Sequence, residues 1–183
     1  PEAIARDPLE IVETQGPAAN PNIAKPAAIF GADRRNARGW DITDVVTLDA
    51  IEQERAPFAA PYRWQAKPLT RAKGKGSARD VINPAVIGEV VGTVTEAGEA
   101  QVQAAVGFAV KAQPGWATRP VAERADILRR AADLYEGNAA EFFALASREA
   151  GKTLADGVAE VREAVDFLRA SLCRVTVPPS GLR

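Results

Sequence analysis

The stretch from Arg148 to Asp166, REAGKTLADGVAEVREAVD, constrains the fold more than any other part of the chain, because it sets a helix stop and a helix start in fixed order. Gly151 follows a helical run and suits the left-handed residue that closes a helix. Thr153, with Asp156 three residues on, reads as the capping box that opens the next one. Leu154, Val158, Val161, Val165, Leu168 and Leu172 then recur at steps of four and three, which lays one continuous apolar stripe along a helix. Such a stripe must be buried against something. On the outer face Arg162 and Asp166, four apart, can pair for roughly 0.2–0.5 kcal/mol. No repeat of a period typical of solenoids is visible, and the helices differ too much in length and cap to stack as one.

Three further helices precede this one. The spacing predicts the first over about Glu96 to Gln113, with Val102, Val106 and Ala109 on one face and Pro114-Gly115 ending it. A second begins near Pro120, gathers Val121, Ala125, Leu128, Ala132 and Tyr135, and closes at Gly137. The third has its own candidate capping box in Asn138 and Glu141, with Phe142, Leu145 and Ala146 expected to face inward. Before the helices, Val81-Ile82, the turn signal Asn83-Pro84, Gly88, and the run Val90, Val91 and Val94 predict a two-stranded hairpin.

Residues 1–78 differ in character. They hold eight of the thirteen prolines, and their apolar residues are scattered as in a linker with little core. One short helix is expected from Thr47 to Arg55, where Leu48, Ile51 and Arg55 follow helical spacing and Pro57 ends the run. The basic stretch from Arg63 to Arg79, with Lys67, Arg71, Lys73 and Lys75, reads as a solvated loop. The expected organisation is therefore an α/β chain: a proline-rich, irregular linker over 1–78, a β-hairpin and about four helices over 79–172, and a tail over 173–183.

At 183 residues the chain suffices for one domain with a modest core, and 46% apolar and 26% charged residues are the proportions of a soluble globular protein. A formal net charge of −1 gives no field to draw in nucleic acid. No apolar run is long enough to span a membrane, and PEAIARDPLE lacks the apolar centre of a signal peptide, so a cytoplasmic location is expected. The single cysteine, Cys173, cannot form an internal disulfide, which fits a reducing compartment. With no histidine the chain cannot build a Ser-His-Asp or Cys-His unit or a histidine-containing zinc site. There is no methionine either, and a chain that opens on Pro1 reads as one cut from something longer.

Several motifs invite chemistry and have simpler readings. Gly151-Lys152-Thr153 matches the end of a phosphate-binding loop, but the glycine required five residues earlier is Ala146, and a helical run stands where a strand is needed. Gly74-Lys75-Gly76 lacks both the preceding strand and the third glycine of a dinucleotide fingerprint. Cys173 lies at a helix C-terminus, where the dipole disfavours a thiolate. Glu149 and Glu160 could serve as acid and base, yet each fits an ordinary helix face, and Lys152 sits where free carbonyls favour a cation.

Together the residues carry a family resemblance. Val81-Ile82-Asn83-Pro84 with Gly88 and Gly92-Thr93-Val94, Trp116 ahead of Pro120 and Ala122-Glu123-Arg124, and Glu149-Ala150-Gly151-Lys152-Thr153 leading to Ala159-Glu160-Val161 resemble the aldehyde dehydrogenase superfamily over about 79 to 170. The wording of Arg148–Thr153 and Ala159–Leu168 is similar to the Δ1-pyrroline-5-carboxylate dehydrogenase half of bifunctional proline utilization A. Arg34-Arg35-Asn36 with Gly39 and Asp41 looks like the stretch that introduces this half after the proline dehydrogenase barrel. The likeness is expected to end after Ala170, in the tail SLCRVTVPPSGLR.

The resemblance implies a parent enzyme that oxidises L-glutamate γ-semialdehyde to glutamate with NAD through a cysteine thiohemiacetal, while FAD would belong only to the proline dehydrogenase half. It implies that the cysteine, the glutamate base and the nicotinamide site lie outside this chain, so that no catalytic or cofactor-binding residue is assigned within it. Glu160 is the one residue it places near the substrate entrance. The implied partners are the remainder of the dehydrogenase domain and further copies of the parent in a homo-oligomer. Two alternatives stand beside it: a fragment of another aldehyde dehydrogenase, such as one for succinic semialdehyde, or a non-catalytic helical module that docks its Leu154 to Leu172 stripe on a partner.

Overall fold

The computed structural model describes residues 7–16, 20, 22–31 and 34–176, with side chains to residue 171. Helix α1 is Pro8–Gln15 and α2 is Val45–Arg55, followed by the strands β1, Trp64–Ala66, β2, Ala78–Ile82, and β3, Val90–Thr95. Helices α3, Glu99–Ala117, α4, Val121–Gly137, α5, Ala139–Ala150, and α6, Leu154–Thr176, complete the order. Single 3-10 turns form at Pro26–Ala28 and Ala56–Phe58. The side chains of Leu172 and Cys173, and the tail beyond Thr176, lie outside the described residues.

The expected hairpin is present. β2 and β3 pair antiparallel, with Arg79 opposite Val94 and Val81 opposite Gly92, and an irregularity falls between Val81 and Ile82. Asn83 closes the turn: its carbonyl Oδ1 accepts from the Ala85 amide at 2.8 Å, and its own amide donates to the Glu89 carbonyl at 3.0 Å. A third strand corrects the reading of Arg63 to Arg79 as a solvated loop. β1 pairs parallel to β3, giving the order β1-β3-β2, and Ala72 is buried. Gly92 makes this possible, because a Cβ there would overlap the Trp64 carbonyl of β1.

The core gathers Ala37, Ile51, Ala132, Ala139, Phe143, Val158, Val161 and Val165, with Trp40, Ile42 and Leu168 packed against it. Val158, Val161 and Val165 of the α6 stripe are thus covered inside the chain, by α4, α5 and the chain up to α2. That stretch, expected to contribute little core, supplies Ala37, Trp40 and Ile42 ahead of α2 and Ile51 within it. Trp40 meets Phe143 edge-on at 5.2 Å between ring centroids.

Helix ends follow local chemistry where that chemistry is free to act. Gly151 takes φ 65° and ψ 23°, and its amide returns to the Ser147 carbonyl at 3.1 Å. Thr153 and Asp156 form the reciprocal box: the Asp156 amide donates to Thr153 Oγ1 at 3.2 Å and the Thr153 amide to Asp156 Oδ2 at 3.2 Å. The box expected at Asn138 does not form. Asn138 Nδ2 donates back to the Leu134 carbonyl at 2.8 Å, and the Glu141 carboxylate accepts instead from Trp64 Nε1 at 2.9 Å. Phe143 rather than Phe142 enters the core, and Phe142, Leu145 and Ala146 are only partly covered.

Two boundaries also move. α3 starts at Glu99, and Pro114 lies inside its last turn rather than ending it. Its Val102 and Val106 are exposed, although the pattern had put them on a buried face. Pro120 is the residue before α4, in extended conformation, and not the first helical position.

One buried charge ties the layers together. The Arg169 side chain, 6% exposed, donates Nη1 to Glu136 Oε1 and Nη2 to Glu136 Oε2, both at 2.9 Å, and Nη2 to Asp133 Oδ1 at 2.9 Å. Nη1 also reaches the Asn36 carbonyl at 3.2 Å. Glu136 Oε1 accepts in turn from the Arg38 amide at 2.6 Å, while the Ala37 amide donates to Asp166 Oδ1 at 2.9 Å. Asp166 is therefore spent on the backbone, and among the described residues no ion pair joins it to Arg162. Burial works to raise the Glu136 carboxyl, but hydrogen bonds from Arg169 and the Arg38 amide, with the charges of Arg169 and Arg35, outweigh it and hold the group below its ordinary value.

Two outcomes follow. Phe143→Ala is expected to lose about 3–5 kcal/mol of stability in urea unfolding, and Phe142→Ala clearly less; equal losses would contradict this placement of the two rings. A carboxylate held low stabilises the fold fully above its unfolded value and loses that contribution as pH falls through the folded one. Glu136→Gln should therefore cost about 3 kcal/mol at neutral pH and flatten the fall in melting temperature on acidification below the ordinary glutamate range. An unchanged acid profile in the variant would assign that loss to other groups.

Candidate functional site

The reversal from α5 into α6 brings the motif residues of the sequence together at one depression. Gly151 turns the chain, Lys152 follows it, and Glu160 stands two turns into α6, so the Lys152 ammonium reaches back to form an ion pair with the Glu160 carboxylate. The depression beside this pair has a volume of about 400 Å³ and is lined by Tyr135, Phe142, Leu145 and Glu149 as well as Lys152 and Glu160. Its wall is a stacked pair, Tyr135 of α4 on Phe142 of α5, with ring centroids 4.9 Å apart and planes inclined by 14°. Gly157 lies at the base, where α6 crosses α5: an added Cβ would sit 3.5 Å from Phe143 Cδ1 and 3.6 Å from Phe143 Cα.

A second depression of about 440 Å³ shares Tyr135, Phe142 and Leu145 and extends to Trp64 and Leu134. The two make one apolar groove along the α4 and α5 pair. On the far side of α5, Arg148 anchors the frame. Its Nε donates to Glu89 Oε1 at 2.7 Å, and its Nη1 donates to the Phe58 and Tyr62 carbonyls at 2.8 and 2.9 Å. The Arg148 hydrogen bond, helped by Asn83, holds the Glu89 carboxyl below its ordinary value. Asp156 is likewise held low by the Thr153 hydroxyl and amide, aided by the Lys152 charge.

This groove can bind and orient, with one cation and two carboxylates at an apolar wall. Glu149 and Glu160 both line it, although the sequence read each as part of an ordinary helix face. The Cys173 side chain lies outside the described residues. No group of histidine, cysteine, aspartate or glutamate residues suited to a metal ion is present among the described residues. Sequence reasoning missed Arg148, Arg169 and the Trp64–Glu141 bond. Arg169 was legible in part: it stands four residues beyond Val165 on the α6 stripe, and a cation at a stripe position marks a buried pair.

A dinucleotide pyrophosphate requires glycines that leave an open cradle at a helix start. Gly74 and Gly76 do not provide one. A Cβ at Gly76 would overlap the Glu96 carbonyl, and one at Gly74 would lie 2.9 Å from Gln101 Cβ, so both glycines serve close approach of the chain to itself. The space beside Gly98, ahead of α3, is filled by the Lys75 carbonyl at 2.5 Å from an ideal Cβ. Gly74, Gly76 and Gly98 therefore do not form the pyrophosphate cradle of a dinucleotide fingerprint.

The model of the aldehyde dehydrogenase family matches residues 71–176, and the chain belongs to that family. The match starts before the 79–170 stretch and ends at residue 176, six residues past Ala170. The bifunctional protein PutA of Klebsiella aerogenes is 37% identical over 174 residues, 91% of this chain and 13% of the relative. The 1-pyrroline-5-carboxylate dehydrogenase of Bacillus pumilus is 42% identical over 87 residues, 48% of this chain and 17% of the relative. Among solved structures, the 1-pyrroline-5-carboxylate dehydrogenase from Thermus with bound NAD superimposes with a TM-score of 0.69 at 26% identity, over 75% of this chain and 27% of that one. The chain thus spans about an eighth of the length of the PutA relative it matches.

Gly157 provides a check on the groove. The space allows a methyl group at ordinary contact distance, and alanine is the better helix former. Gly157→Ala is expected to stabilise the chain by up to about 1 kcal/mol in denaturant unfolding. A loss of stability would mean that α5 and α6 approach more closely than described.

Proposed function

We propose that this chain is the opening segment of an NAD-dependent dehydrogenase that converts L-glutamate γ-semialdehyde to L-glutamate in proline catabolism, as one half of a bifunctional protein. The observation that carries the reading is the reach of the likeness to PutA. It extends over 91% of the chain, well beyond the 71–176 region of the family model and into the proline-rich part that the linker signature occupies. The semialdehyde as substrate is supported by the names of the relatives, which include stand-alone 1-pyrroline-5-carboxylate dehydrogenases as well as PutA proteins. NAD is supported by the Thermus enzyme, whose structure contains it.

In this reading the chain binds and orients but does not carry the chemistry. Glu160, held by Lys152 at the rim of the apolar groove, borders the entrance to the substrate site, and its carboxylate would meet the cationic amino group of the semialdehyde. The nucleophile, the base and the nicotinamide site come from sequence beyond these residues, and FAD belongs to the proline dehydrogenase half. The open groove and the exposed face of α3 are where the rest of the dehydrogenase domain packs. The assembled protein is read as a cytoplasmic homo-oligomer. Among the described residues no helix is long and apolar enough to cross a membrane.

Against the alternative of a free helical module docking its α6 stripe, Val158, Val161 and Val165 of that stripe are already buried in the chain's own core. The test is direct: the purified chain is mixed with NAD and the semialdehyde, and NADH is followed by absorbance. No turnover is expected. Turnover that co-purifies with the chain would overturn the proposal.

A further inference from the structure

Apart from the groove, one depression on the described surface is lined by more cations than carboxylates. Lys25, Arg35, Arg38 and Arg162 line a depression of about 600 Å³ together with Trp40 and a single carboxylate, Asp41. The four cations come from three parts of the chain: the turn before Pro26–Ala28, the segment ahead of α2, and α6. They are held there by the core and not by one another. The backbone that carries Arg35 and Arg38 is pinned between them, since the Asn36 carbonyl accepts from Arg169, the Ala37 amide donates to Asp166, and the Arg38 amide donates to Glu136.

The neighbouring carboxylates make their hydrogen bonds to uncharged donors, which orient them without cancelling their charge. Asp166, one turn from Arg162, is taken by the Ala37 amide, and Asp41 Oδ1 accepts from the Thr43 hydroxyl and amide at 2.6 and 3.0 Å. Arg35 comes only within 3.9 Å of Glu136, which already carries the forked bond to Arg169. Among the described residues Lys25, Arg38 and Arg162 make no ion pair. The Arg38 guanidinium lies 5.1 Å over the Trp40 ring, and that ring is fixed edge-on to Phe143, so one wall of the depression is rigid. A concave, anchored cluster of guanidinium forks focuses its field into the depression and suits paired anionic oxygens.

We propose that this depression binds a small molecule bearing two or more carboxylate or phosphate groups, held by Arg35, Arg38, Arg162 and Lys25. The experiment is titration calorimetry of the 183-residue chain at low ionic strength with pyrophosphate and, separately, with citrate. Saturable binding is expected, weakened about tenfold in each of Arg162→Gln and Arg38→Gln, the latter also removing the guanidinium over Trp40. It should be unchanged in Arg129→Gln, which removes a surface pair with Asp126 on α4. Binding of pyrophosphate alone identifies a phosphate-bearing ligand, whereas binding of both extends the class to carboxylates. A second readout is the melting temperature, which either anion should raise in the parent chain but not in the double variant. No saturation at millimolar anion, or equal affinity in all variants, would overturn the proposal.

Discussion

The forked bond from Arg169 to Glu136 is the constraint on which the rest of the structure depends. A guanidinium taken out of water is tolerable only when its donors are met, and here two carboxylates and a carbonyl meet them. Because those acceptors belong to α4 and to the segment ahead of α2, satisfying the charge fixes three chain segments against one another. The same geometry sets the register of Ala37 and Trp40 against α6, and so decides which side chains reach the core. Hydrophobic burial supplies the driving force, with Phe143, Val161 and Val165 at its centre, but it does not by itself specify an angle. Arg148 repeats the device on the other side of α5, where it joins that helix to the hairpin turn and to the segment before β1.

How much of this was legible in the sequence depended on the range of the interaction responsible. Gly151, the Thr153–Asp156 box and the β2–β3 hairpin are settled within a few residues and stand as read, and so does the α6 stripe over Val158, Val161 and Val165. The Asn138–Glu141 box obeys the same local rule and fails, because Trp64, 77 residues away, offers Glu141 a donor from a ring otherwise half-buried without one. β1 was invisible for a related reason. A three-residue strand has no periodicity of its own, and it exists through parallel pairing to β3 across the clearance left by Gly92. Phe142 and Phe143 illustrate a limit of helical spacing, since adjacent rings differ by one step of rotation and only the neighbouring helices decide which is inside.

The candidate site shows the same division. Lys152, Glu149 and Glu160 were visible as a motif, and the structure gathers them at one groove. What the motif could not reveal is the wall that gives the groove its character, a Tyr135–Phe142 stack contributed by two helices.

Helix α3 carries a consequence for motion. Of its nineteen residues only Gln101 is buried, and that amide is moored to the Ala72 carbonyl at 3.0 Å; from Val106 onward every residue faces outward. A helix fastened at one end is a lever. Its backbone amides should surrender deuterium protection long before those of α4, α5 and α6, which open only when the common core does. The chain therefore contains two tiers of cooperativity: a helical block that unfolds as a unit, and an arm whose order depends on what it lies against.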